Sequence, residues 1–172
     1  FHAIQKDSRV LLLGCIQALF EGAMYTFVFL WTPAMSKGGI QIAHGHVFAN
    51  FMLSCMVGSA IAGNLMTSSV LPEWYMQFAF GIAAVCMFLT SLIYDFISLF
   101  QFSPSFASNM CFILFCTFEV VVGIFWPSMM KMRSQYIPEE VRSTVMNLFR
   151  IPLNVFVCSV LYHVTENNLG IM

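Results

Sequence analysis

The stretch VLLLGCIQALFEGAMYTFVFLW, residues 10–31, is apolar almost throughout and contains a single charged residue, Glu21. As an α-helix it would rise by about 33 Å, at ~1.5 Å per residue. The hydrocarbon core of a bilayer is ~30 Å thick. The stretch therefore predicts a helix that crosses a membrane.

Four more apolar segments of similar length follow, at residues 47–66, 75–96, 106–130 and 141–164. Hydrophobic residues make up 59% of the chain and charged residues 9%, against roughly 25% charged residues in soluble domains. So few charges cannot cover a water-exposed surface. We therefore predict an all-α membrane protein with five transmembrane helices in one partial bundle, embedded in the lipid bilayer.

Several function classes find no support in the sequence. The net charge of −1 and the lack of a basic run exclude a nucleic-acid partner. No nucleophile elbow, phosphate-binding loop or zinc-protease motif occurs. The six cysteines lie in apolar segments and form no CxxC pair. We predict neither an enzyme nor a cofactor or metal site.

The basic residues between the segments predict the orientation. With the N-terminus in the cytoplasm, only Lys37 lies on the outer side. Five basic residues then lie on the cytoplasmic side, which the positive-inside rule favours: Lys6, Arg9, Lys131, Arg133 and Arg142. We expect this arrangement in the plasma membrane.

Three charged residues lie deep inside the predicted helices, far from the segment ends: Glu21, Glu119 and Arg150. Each is roughly 13–18 Å from the cytoplasmic end of its segment, at ~1.5 Å per residue, and so lies near mid-membrane. A charge at this depth costs at least ~2.5 kcal/mol and usually faces a bundle interior or a water-filled cavity. The three residues therefore predict a shared polar chamber. A buried ion pair that only holds helices together is the alternative.

Polar and helix-breaking residues accompany these charges. Gln17 precedes Glu21 by one turn and Asn154 follows Arg150 by one turn, so both either line the chamber or form interhelical hydrogen bonds.

Three residues predict bending points inside helices, although simple kinking is the alternative: Gly123, Pro127 and Pro152. A separate pattern of small residues predicts a helix-packing face: Ser54, Gly58 and Ala62.

Several short pieces together resemble the molybdate-anion transporter family, a branch of the major facilitator superfamily. They are IQALFE (16–21), FVFLWTP (27–33), WPSM (126–129), IPE (137–139) and FRIPL (149–153). The resemblance implies helices seven to eleven of a twelve-helix fold. The N-terminal half and the last helix would then lie outside this chain, which begins with Phe1 and not with Met.

The resemblance also implies a function. We expect a secondary active transporter of molybdate or a related oxyanion that works by alternating access, with Arg150, Gln17 and Asn154 as substrate ligands. Glu21 and Glu119 would serve in coupling or in an ion pair with Arg150. Two alternatives stay open: a transporter of a different small solute, and a membrane scaffold or complex subunit without transport activity.

Overall fold

The computed structural model describes residues 8–36, 41–68, 70–100 and 103–169, with side chains for all of these except residues 94–100, 104 and 163–169. This part of the chain forms five α-helices: α1 (Ser8–Ser36), α2 (His44–Thr67), α3 (Pro72–Phe100), α4 (Pro104–Tyr136) and α5 (Glu139–Leu169). All five are long and apolar enough to cross a membrane. The predicted all-α membrane fold with five spanning helices is confirmed.

The helices extend further than the apolar segments. α1 continues to Ser36 with Pro33 inside it, whereas the sequence predicted an end at Trp31. A proline removes a single backbone donor, and membrane helices tolerate this where neighbouring groups satisfy the freed carbonyl. α4 likewise includes Lys131 and Arg133, because polar side chains at the end of a span can reach the interface without interrupting the helix.

The chain divides into two compact units. The first contains Phe1–Leu30 and Met132–Met172, and the second contains Trp31–Lys131. The predicted single bundle stays a prediction.

In the second unit, α2 and α4 approach so closely that their backbones touch. A Cβ atom added at Gly58 would overlap the carbonyl oxygen of Val120, and one added at Gly123 would overlap the carbonyl oxygen of Cys55. Ala62, one turn beyond Gly58, is fully buried. Small residues permit such an approach in lipid, where packing and not the hydrophobic effect drives helix association.

Polar side chains add links between helices of the second unit. The Tyr75 hydroxyl on α3 lies 2.9 Å from the hydroxyl of Ser128, which itself donates to the Ile124 carbonyl within α4. The Lys131 ammonium donates to the Met66 carbonyl at 3.3 Å, near the end of α2. A cation at the C-terminus of a helix satisfies a free carbonyl and complements the helix dipole.

In the first unit, α1 packs against α5 through a second set of small residues. Gly14 lies under the ring of Phe149, and Gly22 faces Leu153 and Phe156. The spacing of Gly14 and Gly22 is two helical turns, the same pattern that the sequence showed on α2. This contact holds the polar residues of α1 and α5 in one unit.

Candidate functional site

On α1, Gln17 and Glu21 form a buried polar pair. Only 4% of Gln17 and 6% of Glu21 is exposed. The Gln17 amide Nε2 donates a hydrogen bond of 2.6 Å to Glu21 Oε1, one turn further along the helix. The Gln17 Oε1 atom is also buried and accepts no hydrogen bond from the part of the chain that the structure describes. Gln17 therefore orients the Glu21 carboxylate.

On α5, Arg150 and Asn154 lie on an exposed face of the helix. Asn147, one turn before Arg150, is also exposed and extends the same polar stripe. The Arg150 guanidinium makes no hydrogen bond or ion pair with the residues that the structure describes. A guanidinium at this depth is costly against lipid, so this face of α5 must border water or further protein.

Arg133 and Arg142 are two charged residues of the first unit that the sequence placed in a cytoplasmic connection. Arg133 lies in the last turn of α4 and is partly buried. Arg142 is also partly buried, and its Nη2 donates to the Ile137 carbonyl at 3.1 Å. The Nε atoms of both arginines are buried without a hydrogen-bond acceptor among the described residues.

Arg133 interacts electrostatically with two of the predicted site residues, Glu21 and Arg150. The Glu21 carboxylate attracts the Arg133 guanidinium, while Arg150 and Arg142 repel it. Three charged side chains of the first unit, those of Glu21, Arg142 and Arg150, thus lie within electrostatic range of Arg133. The fourth apolar segment ends at residue 130, so the sequence placed Arg133 in a connection and did not indicate its role.

Glu119 lies on α4 in the second unit and is 6% exposed. Its carboxylate acts electrostatically on two thiols, Cys55 of α2 and Cys116 of α4. Glu119 belongs to the second unit, whereas Glu21 and Arg150 belong to the first. A common chamber for the three residues stays a prediction.

The three predicted bending points have different surroundings. Gly123 forms part of the contact between α2 and α4, so packing accounts for a glycine there. Pro127 lies inside α4 and Pro152 inside α5. A bending role for all three stays a prediction.

Two cavities border α5. An apolar cavity of 480 Å³ lies between α1 and α5, with Gly22, Phe149, Pro152 and Leu153 among its lining residues. A second, of 540 Å³, borders Asn154, Cys158, Ser159 and Tyr162 further along α5. The second adjoins the polar stripe and is also lined by Val155, and neither cavity has a charged residue in its lining. No group of three or more His, Cys, Asp or Glu side chains that could hold a metal ion occurs in the described residues.

Comparisons with known proteins place this arrangement in a family. Residues 1–119 match the model of a major facilitator family described as sugar transporters with 12 transmembrane segments. A molybdate-anion transporter of Xenopus laevis is 36% identical over 90% of this chain and 33% of the relative. Those of Takifugu rubripes and Danio rerio are 34% and 31% identical, over 89% and 91% of this chain and 30% and 31% of the relatives.

The chain spans about a third of the length of the curated relatives that it matches. No solved structure matches it. The family match covers most of the chain, and the described residues form the long apolar helices that such a family requires. The chain therefore belongs to the major facilitator superfamily, in the branch that includes the molybdate-anion transporters.

Proposed function

We propose that the protein containing this chain is a secondary active transporter of molybdate or a related oxyanion, and that it works by alternating access. The observation that carries this proposal is Arg150, an exposed guanidinium in the middle of a spanning helix, with no partner among the described residues and with Asn154 one turn away. The relatives are named molybdate-anion transporters, which supports the same substrate class.

The chemistry of the α5 stripe suits an oxyanion. A guanidinium presents a planar fork of N–H donors that matches two oxygens of a tetrahedral oxyanion. Asn154 adds a neutral amide donor one turn along the same face. Gln17 already donates to Glu21, so its principal role is to position that carboxylate.

The buried carboxylates supply a means of coupling. An ionised Glu21 competes with an anionic substrate for the arginines of the first unit. Protonation of Glu21 would remove its charge and free a guanidinium for the substrate. Glu119, the second buried carboxylate, would carry a proton in the same cycle. Proton-coupled transport follows from this competition, because the state that binds the anion is also the protonated one.

Alternating access requires a second half against which this one rocks. The relatives are about three times as long as the matched region, so the missing N-terminal half is the partner of this chain. Pro127 and Pro152 provide the bending points inside α4 and α5. The basic residues favour a cytoplasmic N-terminus for this fragment, and we place the protein in the plasma membrane.

A different small solute is the second candidate, because the matching family is described as sugar transporters. Polar amides such as Asn147 and Asn154 can also bind hydroxyl groups. An uncharged sugar, however, leaves the guanidinium of Arg150 uncompensated. This favours the oxyanion.

We expect the full-length protein, reconstituted in liposomes, to take up labelled molybdate. Tungstate and sulfate should compete with molybdate for uptake, because they share its shape and charge, and a hexose should not. A pH gradient that is acidic on the side from which molybdate enters should accelerate uptake, because protonation of Glu21 would free a guanidinium. Uptake of the hexose with no uptake of molybdate would establish the second candidate instead.

A further inference from the structure

Three arginines of the first unit carry more positive charge than one nearby carboxylate, that of Glu21, can balance. Arg133 is attracted by Glu21 and repelled by Arg142 and Arg150. Three guanidinium groups against one carboxylate leave two positive charges in this cluster. Like charges in a partly buried site repel one another strongly unless a counter-charge is bound.

The backbone at the α4–α5 turn keeps Arg133 and Arg142 in place. The Ile137 N–H donates to the Arg133 carbonyl at 3.0 Å, and the Ile137 carbonyl accepts a hydrogen bond of 3.1 Å from Arg142. The first bond holds the backbone of Arg133 and the second holds the side chain of Arg142, so both arginines belong to one hydrogen-bonded turn.

The same two side chains retain unused donors. The Nε atoms of Arg133 and Arg142 are buried and bond to no acceptor among the residues that the structure describes. A buried N–H without an acceptor costs about 1–3 kcal/mol, and more on a charged group. Glu139 and Glu140, in the first turn of α5, are exposed to solvent and provide no buried counter-charge.

An oxyanion would satisfy both requirements, since it brings negative charge and several acceptor oxygens. We propose that Arg133 and Arg150 form one oxyanion site, with Arg142 at its edge, and that its two excess positive charges select doubly charged oxyanions over singly charged ones. This inference rests on the proposed function of Arg150 as an anion ligand. It names Arg133 as a residue that determines substrate specificity.

Tungstate and perrhenate provide a matched pair of probes, because both are tetrahedral oxyanions of similar size and they carry two and one negative charges. In liposomes with the full-length protein, each would compete with labelled molybdate. Arg133→Gln should weaken inhibition by tungstate about tenfold or more, because a hydrogen bond to a charged group contributes ~1.5–3 kcal/mol. Inhibition by perrhenate should change much less.

Two variants control for the general loss of positive charge and for the chemistry of position 133. Lys131→Gln removes a cation two residues earlier on α4, whose ammonium donates to the Met66 carbonyl, and should leave the preference for tungstate intact. Arg133→Lys keeps the charge and should retain most of the preference.

An unchanged tungstate-to-perrhenate ratio in Arg133→Gln would overturn the inference. If this variant does not reach the liposomes as folded protein, Arg142→Gln decides by the same ratio. The proposed function fails separately, and only if the wild-type protein transports no oxyanion or if Arg150→Gln transports normally.

Discussion

Arg150→Gln should reduce molybdate uptake by about 100-fold or more. The substitution removes the charge and the donor fork from the middle of α5, while glutamine still packs at a position that is exposed. Loss of charged hydrogen bonds to a bound dianion costs about 3 kcal/mol, which corresponds to the stated factor. Initial rates of uptake into liposomes, normalised to the amount of reconstituted protein, would measure the loss.

Arg150→Lys separates charge from geometry at the same position. Lysine keeps the positive charge but presents a single ammonium and not a planar fork. We expect intermediate uptake and a higher KM. Normal uptake by folded Arg150→Gln would contradict a role for Arg150 in anion binding, and equal loss in both variants would assign the whole effect to the fork.

Gly58→Leu and Gly123→Leu should each prevent accumulation of folded protein. At both positions a Cβ atom would overlap backbone of the opposite helix, Val120 for Gly58 and Cys55 for Gly123. Overpacking typically costs about 1–3 kcal/mol where side chains can adjust. Backbone cannot move aside without separating α2 from α4, so a larger loss is expected here. The yield of monodisperse protein after detergent extraction would measure it.

Gly63→Leu and Gly81→Leu are matched controls, because a Cβ atom added at either position meets nothing within 4 Å. Both glycines lie inside helices, where leucine is intrinsically favoured by up to about 1 kcal/mol. Their yields should equal or exceed that of the wild-type protein. Equal losses in all four variants would show that leucine disturbs insertion in general and that the α2–α4 contact has no special importance.

The apolar segments predicted the helices because a bilayer imposes both a length and a composition on any helix that crosses it. The helix ends were less predictable. Pro33 resembled a terminus, yet α1 continues beyond it to Ser36. Local propensity decides such boundaries only where packing does not, and the three residues after Pro33 belong to the second unit, where Met35 is buried.

The charges of the candidate site can be seen in the sequence, whereas their contacts cannot. Of the three charges predicted near mid-membrane, Glu21 and Glu119 are buried and Arg150 is exposed. The sequence could not show that Gln17 donates to Glu21, since the same spacing also allows both side chains to face a cavity. Arg133 was missed because it lies in a polar run that resembled a loop, although α4 extends to Tyr136.

The most direct test of the central claim is whether the α5 face bearing Arg150 and Asn154 lines a water-filled path for an oxyanion. Asn154→Cys and Phe156→Cys would be compared in full-length protein whose accessible native cysteines, including the exposed Cys15 and Cys158, are replaced. Residues two positions apart on a helix point about 200° apart, and Phe156 lines the apolar cavity between α1 and α5. A hydrophilic, negatively charged thiol reagent therefore distinguishes the polar stripe from the apolar face of α5.

We predict rapid modification of Asn154→Cys, protection of this cysteine by molybdate, and little modification of Phe156→Cys. Protection should disappear when Arg150→Gln is combined with Asn154→Cys, because the anion is no longer held beside residue 154. Slow modification of Asn154→Cys, or rapid modification that molybdate does not reduce, would contradict an oxyanion path along this face of α5.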